Sequence, residues 1–107
     1  MTQIPSPAGL AETLTKLFPQ FAAELDEEDL TSYHLIIQSL APVVTGYLER
    51  APTSTLERFC ELVNALVAEG GERANAISTC LLEHASQLKL RKLIRPYLSA
   101  VARQELR

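Results

Sequence analysis

The sequence predicts an all-α fold, a single-domain bundle of five or six antiparallel helices arranged as HEAT-like helical hairpins. Apolar residues recur at steps of three and four along most of the chain, the repeat of one helix face. No run alternates branched or aromatic residues with polar ones for long enough to make a strand. Prolines and glycines fall where helices start, bend or stop. A chain of 107 residues, 47% hydrophobic and 21% charged, has the balance of one ordinary globule and can build its core without metal or disulfide staples.

Met1 to Pro5 reads as a flexible lead to a domain spanning residues 1–107. Ser6-Pro7 supplies an N-cap followed by proline at the first helical position, where a missing N–H costs nothing. A helix from Pro7 to about Leu17 then buries Leu10, Leu14, Leu17 and Phe18, until Pro19 interrupts it. Residues 19–25 add a turn or two, with Phe21 and Leu25 facing inward. The acids Glu24, Asp26, Glu27, Glu28 and Asp29 follow, and are expected at the start of the next helix, where the dipole favours them. That helix, Leu30 to Arg50, is apolar on more than one side and so is the central one. Leu30, Tyr33, Ile37, Leu40, Val44 and Tyr47 form its stripe, and Pro42 should kink it or split it near Ser39–Ala41.

The stretch from Ser54 to Leu88 reads as a helical hairpin. Ser54 and Glu57 have the spacing of a capping box. Leu56, Phe59, Cys60, Val63, Leu66 and Val67 share one face, and Gly70 or Gly71 ends the helix in a left-handed conformation. A second run from Glu72 places Ile77, Cys80, Leu81, His84, Ala85 and Leu88 on its inner face. A bend near Gln87–Lys89 leads to a last segment, broken at Pro96, with Leu90, Leu93, Ile94, Tyr97, Val101 and Leu106 inward. Lys92, Arg95, Ser99 and Arg103 share its outer face.

No apolar run is long enough to cross a bilayer, and the N-terminus lacks the pattern of a signal peptide, so the expected compartment is the cytoplasm. The net charge of −3 conceals an asymmetry. Residues 1–83 carry twelve acids and four bases, whereas residues 84–107 carry six bases and one acid. The basic end raises nucleic acid as a partner, but a pI near 5.3 and the acidic remainder oppose a polyanion.

Candidate chemistry is sparse. Cys80 and His84 share a helix face and could form half a zinc site or a thiol beside a base, but His34 is the only other histidine and no second pair completes four ligands. Cys60 and Cys80 read as reduced, core-facing thiols slow to react in the native state, and His84 as a buried histidine. Glu57, Glu61 and Glu83 read as surface charges. Gly70-Gly71 lacks the strand and lysine of a phosphate-binding loop. The expectation is a protein that is not an enzyme and holds no cofactor or metal.

Leu17-Phe18-Pro19-Gln20-Phe21 followed by acids resembles the opening of a group of small all-helical bacterial proteins. The order of later elements is similar, through Ile77-Ser78-Thr79-Cys80-Leu81-Leu82-Glu83 to the closing segment Ile94–Leu106, over roughly residues 14–107. Ser99-Ala100 stands where a Gly-Pro break is common. The group consists of immunity proteins of bacterial polymorphic toxin systems, whose toxins are secreted or delivered by contact. The resemblance implies an immunity protein that neutralises a cognate antibacterial toxin by occluding its active or cofactor site. A helical adaptor or oligomerisation module is the alternative. Acidic helical proteins suit toxins with a basic cleft. The expected partner surface is therefore Glu24, Asp26, Glu27, Glu28 and Asp29, with Glu49, Glu72 and Glu83 as further candidates. The expected partner is a protein, with neither nucleic acid nor membrane.

Overall fold

The structure is a computed structural model that describes residues 6–107; the flexible lead expected at Met1–Pro5 lies outside the described residues. It is an all-α bundle, with six α-helices among those residues: α1 (Pro7–Leu17), α2 (Tyr33–Arg50), α3 (Thr53–Glu69), α4 (Gly71–Cys80), α5 (Arg91–Ile94) and α6 (Ala100–Gln104). Short 3-10 turns at Pro19–Glu24, Asp29–Thr31, Leu82–His84 and Arg95–Tyr97 connect them.

The entry to α1 follows from its cap, with Ser6 Oγ accepting from Gly9 N at 3.1 Å and Pro7 opening the helix. Leu10, Leu14 and Phe18 are buried, and Leu17 packs partly against them. Phe18 lies between two other helices, its ring 5.4 Å from Tyr47 on α2 and 5.7 Å from Phe59 on α3. Phe21 in the next turn is fully buried. This anchors the 19–31 segment, which packs on both α1 and α2.

The central helix begins later than its apolar stripe suggests. Ser32 caps α2, its Oγ accepting from Leu35 N at 3.3 Å, so Leu30 lies outside the helix and is 40% exposed. The acids before it are therefore not at its first turn, contrary to the sequence expectation. A serine in extended backbone satisfies an orphan donor directly, whereas Asp26 and Asp29 are occupied with each other. Pro42 does not split the helix. Both Pro42 and Gln38, whose carbonyl loses its intrahelical donor, lie on the exposed side, where water can replace the missing bond.

The capping box expected at Ser54–Glu57 does not form. Pro52 (φ −64°, ψ 156°) precedes the first helical residue Thr53, and Thr55 N donates to the Pro52 carbonyl at 2.9 Å. Ser54 is thus already inside the first turn, two positions past the residue that caps the helix. The inner face of α3 holds Phe59, Cys60, Val63 and Leu66 buried, with Leu56 and Val67 at its margins. Gly70 (φ 72°, ψ −168°) ends α3, and α4 returns against both α3 and α2.

The second run is shorter than its periodicity predicts. α4 stops at Cys80, and Leu81 (φ −126°, ψ −63°) breaks the helical phase. Leu81 and Ala85 are buried as expected and Leu82 joins them, while Cys80 and Leu88 are only half-buried and His84 is exposed. The bend expected at Gln87–Lys89 is a Schellman turn, in which Lys89 N donates to Ser86 O at 3.1 Å and Leu90 N to Ala85 O at 2.8 Å. Lys89 takes the left-handed position (φ 59°), and Thr45 Oγ1 on α2 donates to Leu88 O at 2.7 Å, fixing the turn to the central helix.

Pro96 divides the last segment as expected, but the break resets its phase. Leu98 has extended backbone (φ −84°, ψ 147°), and Ser99 caps α6 by accepting from Ala102 N at 3.2 Å. Leu90, Ile94, Leu98, Ala102 and Leu106 are buried, while Tyr97 and Val101, expected inward, are 40% and 56% exposed. Asn64 of α3 braces the break, its Nδ2 donating to Tyr97 O at 3.2 Å and its Oδ1 accepting from Ser99 N at 2.9 Å.

A non-glycine residue held left-handed is strained by roughly 1–2 kcal/mol. Lys89→Gly should relieve part of that strain and raise unfolding stability by about 1 kcal/mol, measured as a higher urea midpoint with unchanged slope.

Candidate functional site

The most concentrated charge in the chain sits on the 19–31 arm. Glu24, Asp26, Glu27 and Glu28 are exposed, and Asp29 is half-buried. The arm is held from below by Phe21 and within itself by a reciprocal pair of bonds. Asp26 N donates to Asp29 Oδ2, and Asp29 N to Asp26 Oδ1, both at 3.0 Å. Thr31 Oγ1 adds a bond to the Glu28 carbonyl at 2.6 Å. Two of the five acids therefore have a structural task that their sequence pattern does not reveal. Glu24, Glu27 and Glu28 carry none, and their charges face solvent.

Among the described residues the ion pairs are Lys16–Glu12 at 3.3 Å and Arg73–Glu69 at 3.7 Å. None of the eight acids proposed from the sequence belongs to either. Burial, with a smaller push from Glu24, raises the Tyr47 phenol above its ordinary value, while Arg50 opposes it. Glu24 is thus felt at the last turn of α2, near where Glu49 is exposed. Glu72 and Glu83 are exposed on other elements, the start of α4 and the turn after it. Glu83 joins Glu105 and Val101 around a separate shallow depression. The structure places the five arm acids on one segment and puts Glu72 and Glu83 on different ones.

Between the arm and α1 runs an open groove of about 590 Å³, a feature that no sequence pattern revealed. Ala8, Ala11, Ala22, Leu25 and Leu30 supply its apolar surface, and Glu12, Lys16, Asp26 and Glu27 stand at it. Small residues at Ala8 and Ala22 leave the space, and Leu30 is free to line it because α2 starts after it.

The basic end is partly committed to its own backbone. Arg103 Nε donates to Arg95 O at 3.0 Å, and its terminal nitrogen to Pro96 O at 3.3 Å, closing the 95–97 turn. Lys92 and Arg95 are exposed, and Lys92 joins Ser86, Lys89 and Arg91 around a cavity of about 340 Å³.

The thiols and histidines behave as separate groups. His84 is exposed, not buried, with Nδ1 3.2 Å from Gln87 Oε1, because α4 ended a turn earlier. His34 Nε2 lies 3.3 Å from Asn75 Nδ2. Among the described residues no cluster of three His, Cys, Asp or Glu side chains could hold a metal ion. Arg73, which the sequence did not single out, lies 5.5 Å over the Tyr33 ring and ties the start of α4 to α2. Both thiols are free. Cys60 is buried with Sγ 3.8 Å from Ile94 O, and burial pushes its thiol up to about 12.

Cys80 should react with a thiol reagent in the native state, while Cys60 should label only as the protein unfolds. The unfolded Cys60 thiol ionises near its ordinary value of 9.0, whereas the folded one stays neutral to about 12. Folding stability from this group is therefore complete below pH 9 and falls as pH rises from there towards 12. Cys60→Ala should lessen that alkaline loss in urea titrations, at a cost of about 1 kcal/mol at neutral pH.

Among the described residues no helix is long and apolar enough to cross a membrane. No curated protein and no solved structure matches the chain. Residues 11–107 match the family described as Domain of unknown function (DUF7674), a span that runs from within α1 through α6, and the chain belongs to that family.

Proposed function

We propose that this protein is an immunity protein, a non-catalytic inhibitor that binds a cognate protein toxin with a basic cleft and occludes its active or cofactor site. The observation that carries the reading is the set of exposed acids Glu24, Glu27 and Glu28, unpaired among the described residues and displayed on an arm whose backbone is fixed. Like charges this close repel one another, and these three return no cap or ion pair to the fold. A cationic partner surface would relieve that repulsion. Complementary charge speeds encounter more than it deepens affinity, which suits a protein that must reach its toxin before the toxin acts. The pre-formed arm also loses little entropy on docking. The resemblance of the chain to small helical immunity proteins supports the same reading, with the cytoplasm as the compartment in which such a complex forms.

Co-expression with the product of the adjacent open reading frame tests the proposal directly. That product alone should arrest growth, and this chain should restore it and co-purify as a stoichiometric complex. Growth arrest that the chain cannot relieve, or an adjacent product without toxicity, counts against the reading. Charge reversal of Glu24, Glu27 and Glu28 to Lys should slow association about tenfold or more at low salt and much less at high salt. Asp26 and Asp29 are spared in this variant because their carboxylates hold the arm, so thermal stability should change little. Equal rates for variant and parent at both salt concentrations would reduce the arm to a solvated turn.

A further inference from the structure

The groove beside the acidic arm has an apolar floor and an anionic rim, and we infer that it seats the apolar face of a cationic amphipathic helix from the partner protein. The inference rests on the reading of the arm as a partner-binding element and names the chemistry of what it binds. Ala11 at the floor is buried, Leu25 is half-buried, and Leu30 stands 40% exposed as the far wall. Leu30 is one of three exposed large hydrophobic side chains among the described residues, and it shares the groove with Ala8, Ala22 and Leu25, so it belongs to a continuous apolar surface left for contact. A volume of about 590 Å³ accommodates one or two large aliphatic side chains, the usual anchors of a helix laid into a groove.

Charge selects among possible occupants. Glu12, Asp26 and Glu27 stand at the groove against one base, Lys16, which Glu12 already holds at 3.3 Å. Glu24 and Glu28 lie in the same acidic segment. An acidic or neutral segment would meet net repulsion or nothing at this rim. Lysines or arginines flanking an apolar stripe would meet Asp26 and Glu27, while the stripe covers Ala11, Leu25 and Leu30. A second copy of this arm is disfavoured by the same acids. The floor supplies the affinity, and the rim supplies the encounter rate and the sign of the partner.

The test titrates the full chain with a synthetic helical peptide of leucine and lysine, leucines spaced three and four apart, and with a scrambled peptide of identical composition. Backbone amide shifts read the site. The patterned peptide should shift Ala8, Ala11, Ala22, Leu25 and Leu30 together and bind about tenfold more tightly than the scrambled one. Ala22→Trp, which fills the groove from an exposed position, should weaken the patterned peptide about tenfold or more. Leu30→Ser, which removes the far wall, should weaken it as well and leaves no bulky group to accommodate in folding. Glu27→Gln should have a smaller effect that vanishes at high salt. Equal affinity for the two peptides, or undiminished binding by both groove variants, overturns the inference. So does concentration-dependent self-association of the free chain that protects the groove amides, which would assign the groove to a second copy. These failures leave the growth rescue and the salt-dependent association through the arm acids standing, whereas absence of growth rescue with intact groove binding would overturn the inhibitor reading instead.

Discussion

The reversal at Gly70 is the constraint on which the rest of the bundle depends. Its backbone (φ 72°, ψ −168°) lies in a region that essentially only glycine occupies, and Gly71 follows with φ 70°. A Cβ at either position would meet nothing within 4 Å, so the requirement is conformational and not one of space. Because the chain turns back there, α4 lies against α3 and α2 together and buries Ala76, Ile77 and Ser78 in the seam. Arg73 secures the same corner, reaching Glu69 across the turn and the Tyr33 ring on α2.

The helices after α4 are too short to hold themselves. α5 has four residues and α6 has five, far below the length at which an isolated helix persists in water. These pieces are fixed by bonds to distant residues. Thr45 holds Leu88, Asn64 holds both sides of the break at Tyr97–Ser99, and Arg107 N donates to Leu82 O at 2.9 Å. Ser86 completes the closure, donating to Arg107 O from both its backbone and its hydroxyl. Buried Ile94, Leu98, Ala102 and Leu106 supply the apolar area that makes such ordering favourable.

The N-terminal half solves a different problem, that of displaying charge on a firm base. The Phe18 ring joins α1 to α2 and α3, and Phe21 fixes the segment immediately after it. The Asp26–Asp29 exchange then stiffens the arm between its two 3-10 turns, without an α-helix. Exposed acids in a mobile loop would lose on ordering much of what they gain on contact, so the firmness of this base bears directly on the proposed role. The groove beside the arm is a by-product of the same construction, since alanines on α1 and at Ala22 leave room where Leu30 is kept out of the helix.

The sequence by itself determined the all-α class, the limits of α1, the inner face of α3, the glycine reversal and the divisions at Pro19 and Pro96. Each rests on local chemistry, a cap, a helical period or a residue with unusual backbone freedom, which few neighbours can override. Tertiary structure decided where a period ends. His84, Tyr97 and Val101 fall on apolar stripes in the sequence, but the break at Leu81 and the 3-10 turn around Pro96 shift the phase; nothing local to Leu81 announces the first, and Pro96 marks the second without fixing the phase that follows it. It also decided the caps. Ser32 caps α2, which the apolar stripe alone does not indicate, while Ser54 was bypassed because Pro52 had already opened α3. The acidic arm was legible as charge, yet its split into structural and free carboxylates was not, since that depends on which side chains can reach a backbone N–H. The groove was legible only from the fold, because its walls come from α1 and a turn brought alongside it by the burial of Phe18 and Phe21.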